Sequence, residues 1–304
     1  MSYSDFCNKV ESAMSGLYEG EAQVYITDVT KNNGLILRGL VIQRKESRIS
    51  PTIYLEQFYG MYEDGMSFSE VINRIRSCDR AYKGTDITVD MFMDFEKISD
   101  RIVYKVVNRD MNSELLKSVP YMEWNDLAIV FCCLLESKSD GYATILIRNE
   151  HVKSWGTDTD ELYKLASVNT PRLMSDEIDS MENIIMSMLY RKNPEDEGDS
   201  EDRMNPAVPD LYVLSNKRRI FGATSMLFSP HIGELADDYE SDLYILPSSI
   251  HEVIILPYSE SCDVDYMRSM VREINETQVD IEDRLSDNIY CYDRNTRKIS
   301  VVAG

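Results

Sequence analysis

The sequence predicts an α+β fold: β-hairpins covered by helices, with mixed or antiparallel sheets, in two lobes. Three observations predict it. Apolar residues alternate in short runs that come in pairs, with turn formers such as Asn33-Gly34 between them. Other segments repeat their apolar residues every three or four positions, the spacing of one helical face. The stretch Asn193–Arg203 carries Glu195, Asp196, Glu197, Asp199, Glu201 and Asp202 without a large apolar side chain, so it cannot bury a core. It is expected to be an acidic flexible linker or loop, extended to 209 by Pro206 and Pro209. It would separate an N-terminal region, 1–192, from a C-terminal region, 210–304.

Taken in order, Phe6, Val10 and Met14 place a helix over Ser4–Ser15. Ala22, Val24 and Ile26 alternate in a strand over Glu21–Val29, and Leu35–Gln43 returns after the turn Lys31–Gly34. After Ile49-Ser50-Pro51, the spacing of Tyr54, Phe58 and Tyr62 predicts a helix over Thr52–Tyr62. Ser67 and Glu70 form a capping box for a helix that runs to about Tyr82. A helix near Val89–Lys97, a strand at Arg101–Val107 and a short helix at Asn112–Lys117 follow. A second hairpin pairs Asp126–Leu135 with Tyr142–Arg148 through the turn Lys138–Gly141. Asp158 or Thr159 opens a helix that Pro171 should stop, and Ser175 opens another carrying Ile178, Met181, Ile185 and Met188.

Beyond the acidic stretch, Asp210–Ser215 and Gly222–Phe228 form a third hairpin around the basic loop Lys217-Arg218-Arg219. Pro230–Tyr239 is helical, Asp242–Leu246 and Glu252–Leu256 are strands, and Asp263–Asn275 is a helix with Val264, Met267, Val271 and Ile274 inside. Strands at Ile289–Tyr292 and Lys298–Val302 close the chain. Asp126-Leu127, Gly141 and His151 echo Asp210-Leu211, Gly222 and His231, which a repeated ββα unit would explain, as would chance similarity between two hairpin–helix units.

The formal net charge of −21 argues against a surface that grips phosphate backbones or anionic membranes, because both need clustered Lys and Arg. It suits solubility, or an acidic face that meets a basic partner. The longest apolar run, Leu127–Leu135, is far short of the ~20 residues that span a bilayer. The six cysteines form no Cys-x-x-Cys pair or zinc spacing with a histidine, and are expected to be reduced in a cytoplasmic setting. No metal site and no cofactor are expected: the glycines lack phosphate-loop spacing, and the acidic stretch lacks the ligand pattern of an EF-hand.

His251-Glu252 is not a zinc-protease motif, because Ile255 stands where a second histidine is required. Ser249 and His251 share one face if extended, the smallest unit of acyl-transfer chemistry. Their bland reading is a Pro-Ser-Ser turn beside a histidine that bonds backbone. The tip Lys217-Arg218-Arg219 and the acids Glu195, Asp196 and Glu197 are the candidate partner-binding residues. The nineteen tyrosines suit protein interfaces where exposed.

Several segments together resemble an uncharacterised protein family of clostridial gut bacteria, often found near mobile elements. They are Asn32-Asn33-Gly34, Ile49–Leu55, Asp126–Phe131, Ala143–Ile147, Asn169-Thr170-Pro171-Arg172-Leu173 and Asp242–Leu256. The order of hairpin, helix and Asn-Thr-Pro also resembles a bacillar family of unknown function. The resemblance implies a bacterial cytoplasmic α/β protein and brings no assigned activity. The expected function is therefore non-enzymatic: an acidic binding or regulatory protein of mobile-element context. Its partner would be a protein, basic or nucleic-acid-binding, and it would serve as an inhibitor of a host defence or nucleic-acid-binding protein. The rival expectation is a hydrolase using Ser249, His251 and Glu252, with His231 as a further candidate.

Overall fold

Helix α1, Tyr3–Leu17, buries Phe6, Val10 and Met14, and Ser2 caps it by accepting from the Asp5 amide. These residues belong to a computed structural model that describes residues 1–44, 52–81, 89–136, 142–184 and 210–302. Strands β1, Ala22–Thr30, and β2, Ile36–Arg44, pair antiparallel from Ala22↔Arg44 to Thr30↔Ile36. The turn between them places both Asn33 (φ 58°) and Gly34 (φ 73°) in the left-handed region, as an Asn-Gly pair allows. Thr52–Tyr54 is a third strand, β3, rather than the start of a helix: it adds to β2, and α2 begins at Glu56 and ends at Glu63. Ser67 and Glu70 exchange hydrogen bonds of 3.0 and 3.3 Å and start α3, Phe68–Ala81. The three strands and α1–α3 enclose a core from Phe6 to Ile75.

The second sheet is built on β6, Leu127–Glu136. Strand β4, Ile102–Asn108, pairs with one of its edges. The other edge is shared by β5, Tyr121–Trp124, near its start and β7, Tyr142–Leu146, near its end. Apolar clusters lie on both faces of β6, which is why its sequence is continuously apolar. The expected helix at 89–97 is broken into α4, Val89–Met93, and α5, Phe95–Ile98. Helices α6, Ser113–Leu116, and α7, Asn149–Trp155, come next. Asp158 caps α8, Thr159–Leu173, by accepting from the Glu161 amide.

Pro171 does not stop α8, which continues for its last turn. That turn closes the otherwise unpaired edge of β4. Asn169 donates to the Ser99 and Ile102 carbonyls at 2.8 and 3.0 Å, and the Tyr104 amide donates to Thr170 Oγ1 at 3.2 Å. The Val106 amide likewise donates to Thr224 Oγ1 at 3.3 Å. Side chains thus complete a ladder that a neighbouring strand would otherwise supply.

The third sheet runs in the order β13-β12-β10-β11-β9-β8. Its strands are β8, Asp176–Ser180; β9, Tyr212–Asn216; β10, Leu243–Leu246; β11, Val253–Pro257; β12, Tyr290–Asp293; and β13, Lys298–Val301. Two expectations change here. Residues 176–180 are a strand, not a helix, and Gly222–Leu227 is a 3-10 turn, not the return of a hairpin. The second copy of the supposed ββα unit therefore lacks its second strand. Helix α9, His231–Asp238, follows that turn, and α10, Val264–Thr277, covers the outer sheet face.

The acidic stretch with Glu195, Asp196 and Glu197, the turn 138–141 and Ile49-Ser50-Pro51 lie outside the described residues. On either side of the acidic stretch, β8 and β9 pair directly from Asp176↔Asn216 to Ser180↔Tyr212. One apolar cluster joins Phe92–Ala166 to Leu214–Tyr292, while residues 6–75 keep a cluster of their own. The division in packing therefore falls between Ile75 and Phe92. All three sheets are antiparallel, so the architecture is α+β.

Candidate functional site

The segment Pro247–Glu252 joins β10 to β11 and is zipped to residues 283–286. The Ile250 amide donates to the Asp283 carbonyl at 2.8 Å, the Leu285 amide to Ser248 O at 2.9 Å and the Ser286 amide to Pro247 O at 2.9 Å. This brings Asp283 to His251, with Nε2···Oδ1 at 3.1 Å. The other ring nitrogen, Nδ1, accepts from the Phe221 amide at 3.3 Å. That pattern places the imidazole proton on Nε2, donated to the carboxylate. The Phe221 ring stacks on the imidazole at 6.1 Å and 14°, and Lys105 Nζ stands 4.5 Å from the Phe221 centroid.

Ser249 does not face the imidazole. Its Oγ accepts from the His251 backbone amide at 3.0 Å, the geometry of a serine turn. Glu252, named with them in the hydrolase reading, bonds to neither Ser249 nor His251; the carboxylate paired with the histidine is that of Asp283. A serine nucleophile must pass its proton to a ring nitrogen. Here one ring nitrogen meets a backbone N–H and the other a carboxylate.

His231 belongs to a different cluster at the start of α9. Its Nδ1 lies 2.8 Å from Glu234 and its Nε2 3.7 Å from Asp176, while the Ser229 hydroxyl donates to the same Asp176 carboxylate. The remaining histidine, His151, accepts from the Arg148 amide at 3.0 Å and packs against Phe92 and Trp155. Burial holds its pKa below the ordinary histidine value.

The basic tip is ordered by a buried asparagine. Asn216 Oδ1 accepts from the Arg218 and Ile220 amides at 3.1 and 3.3 Å, and its Nδ2 donates to the Ile220 carbonyl at 2.7 Å. Lys217, Arg218 and Arg219 are exposed, and Arg218 borders a small recess with Leu134, Thr144, Met174, Ile220 and Phe221. Gly222 allows the chain to continue past His251. A Cβ there would lie 2.1 Å from Ser215 Oγ and 2.2 Å from the His251 carbonyl, and Ser215 already donates to that carbonyl at 2.7 Å.

Sequence reasoning missed the polar residues that hold this region together. Asn33, at the first hairpin's tip, donates to the Ile281 and Arg284 carbonyls, both at 2.7 Å, and Asn32 to Glu282 O at 2.7 Å. Asn33 and Asn112 exchange bonds of 2.9 and 2.8 Å, with Asn112 only 2% exposed. Asn108 donates to Leu285 O at 2.9 Å. Asp126 accepts from Ser286 at 2.7 Å, from Asn288 at 2.9 Å and from the Tyr290 hydroxyl. Residues 281–290 are thus gripped from all three sheets, and Asp283 sits within them. The Asn32-Asn33-Gly34 and Asp126 motifs were visible in the sequence, but their partners are 79 to 251 residues away.

No cluster of three or more His, Cys, Asp or Glu is placed to hold a metal among the described residues, and the six cysteines are free thiols. No helix among those residues is long and apolar enough to cross a membrane. Fold and site together define a three-sheet α+β protein centred on a polar suture. The chain belongs to DUF5688, a family of unknown function, whose profile matches residues 3–294. Neither the search of curated proteins nor that of solved structures found a match.

Proposed function

We propose that the chain is an acidic binding or regulatory protein, bacterial and cytoplasmic, that acts through a basic or nucleic-acid-binding protein partner rather than through catalysis. The observation that carries this reading is the formal charge of −21. Some of the cations are already matched by carboxylates of the chain itself. Arg44 meets Asp79 at 2.5 Å, Lys117 meets Glu114 at 2.6 Å, and Arg294 and Arg297 meet Asp237 at 3.1 and 2.7 Å. The surplus carboxylates are left to meet a partner, and an excess of one sign steers an oppositely charged surface toward it. The resemblance to a clostridial family near mobile elements suggests the setting: an inhibitor of a host defence or nucleic-acid-binding protein, with carboxylates standing where phosphates would bind. A tagged pull-down from source-type lysate at rising salt tests it. The expected result is one stoichiometric basic partner, released as the Debye length shrinks. Elution alone, or a partner indifferent to salt, counts against it.

The second reading, a hydrolase using Ser249, His251 and Glu252, draws on the His251–Asp283 pair at 3.1 Å, which could orient an imidazole. Against it stand the Ser249 hydroxyl turned to the His251 amide and Nδ1 turned to Phe221. An ester-hydrolysis screen comparing the wild type with Ser249→Ala and His251→Ala decides it: activity lost in both variants would revive the reading.

A further inference from the structure

Helix α10 carries two apolar rows, and only one is covered. Met267 and Val271 face the sheet, with Asn275 completing that row at 2% exposure. The row one residue earlier, Tyr266, Met270 and Ile274, is 68%, 40% and 40% exposed. Sequence periodicity assigns Ile274 to the core. Asn275 takes the inner position instead, because its side chain donates to Ser286 O at 3.1 Å and to Asp287 at 2.7 Å. That bond fixes the rotation of the helix and turns Ile274 outward. At about 100° per residue, Tyr266, Met270 and Ile274 fall within roughly 80° of one another, along about 12 Å of axis. Isolated exposed apolar residues are ordinary, but an aligned row is a surface that a partner can use.

The flank of this row away from the sheet is acidic. Going round the helix, Glu273, Ser269, Glu276 and Asp265 come next, all exposed. The basic side chains on α10 are engaged: Arg268 reaches Asp265 at 2.8 Å and the Val302 carbonyl at 3.2 Å, and Arg272 reaches Asp287 at 3.7 Å. An apolar stripe with a carboxylate rim is complementary to one kind of segment: an amphipathic helix with apolar anchors and Lys or Arg beside them.

We propose that the Tyr266–Met270–Ile274 stripe of α10, with Glu273 and Glu276 at its rim, docks a basic amphipathic helical segment of the partner protein. This rests on the reading of the chain as an acidic binder and assigns that reading a surface.

The test uses the full chain and a labelled peptide of about five helical turns, with Leu on one face and Lys elsewhere. A scrambled peptide of identical composition is the control. Fluorescence anisotropy should show the peptide binding the wild type at least ten-fold tighter than the scrambled control. It should also bind Met270→Glu/Ile274→Glu at least ten-fold more weakly, while circular dichroism shows an unchanged fold. If that double variant fails to fold, Tyr266→Ser at the most exposed position supplies the comparison. Equal binding to wild type and variant, or to both peptides, overturns the stripe. If such binding still weakens with salt, the acidic-binder reading survives; if nothing binds at any salt, both fall. Self-association in light scattering that the double variant abolishes would assign the stripe to a second copy and overturn the basic segment.

Discussion

Replacing Gly222 with alanine should be among the most damaging single-methyl changes in the chain. The added Cβ would stand 2.1 Å from Ser215 Oγ, 2.2 Å from the His251 carbonyl and 2.9 Å from the Asn216 amide. Two of these three atoms are backbone, and the third is the hydroxyl that donates to the same His251 carbonyl at 2.7 Å. None can retreat cheaply, because moving His251 also strains its bonds to Phe221 and Asp283. Overpacking of this kind costs about 1–3 kcal/mol. Losing the Ser215 bond adds about 1 kcal/mol, so the expected loss is about 3 kcal/mol. Gly60→Ala is the matched control. Gly60 lies inside α2 with nothing within 4 Å of its Cβ position, so alanine there should stabilise by roughly 0.5–1 kcal/mol. Urea unfolding of both variants measures the contrast. A Gly222→Ala protein within about 0.5 kcal/mol of wild type would refute the close packing of 215–222 on His251.

The remaining predictions concern the suture and its pH dependence. Asn112→Ala removes the partner of the Asn33 amide and of the Asn108 carbonyl, and should cost about 2–4 kcal/mol. With Asn33→Ala the two changes should couple by about 1–3 kcal/mol in a double-mutant cycle, and strict additivity would show that the first hairpin is not held there. Burial, with the Asp126 carboxylate adding to it, holds the Tyr290 phenol protonated well above its ordinary value of 10.0. The folded chain therefore keeps this proton while the unfolded chain releases it. The stabilisation is full below pH ~10 and is lost as pH rises above that. Tyr290→Phe should lower stability at neutral pH but flatten the alkaline decline by up to about 1.4 kcal/mol per pH unit. Parallel pH profiles for the two proteins would contradict this.

Several elements were determined by local sequence alone. Phe6, Val10 and Met14 specify α1 by spacing, Asn33-Gly34 specifies the first hairpin by its positive φ values, and Ser67 with Glu70 specifies the start of α3. The continuous run Leu127–Leu135 specifies a strand buried on both faces, and the short apolar runs at 243–246 and 253–256 specify β10 and β11. In each case the determining residues lie within a few positions of one another.

Only the tertiary structure decided the rest, because the deciding partners are distant in sequence. Ile178, Met181 and Ile185 have a helical spacing, yet pairing with β9 makes residues 176–180 a strand. Gly222–Leu227 looks like a returning strand, but Thr224 is drawn to the edge of β4 and Ser225 to the Ser215 carbonyl. Asn275 outranks Ile274 for the inner face of α10 because a buried amide with two acceptors fixes the helix rotation. Asp283, rather than Glu252, stands behind His251 because residues 283–286 are zipped to 247–250. Local periodicity reports which side chains prefer burial. Which of them are buried, and which polar group each carboxylate meets, was settled by hydrogen bonds between segments up to 251 residues apart.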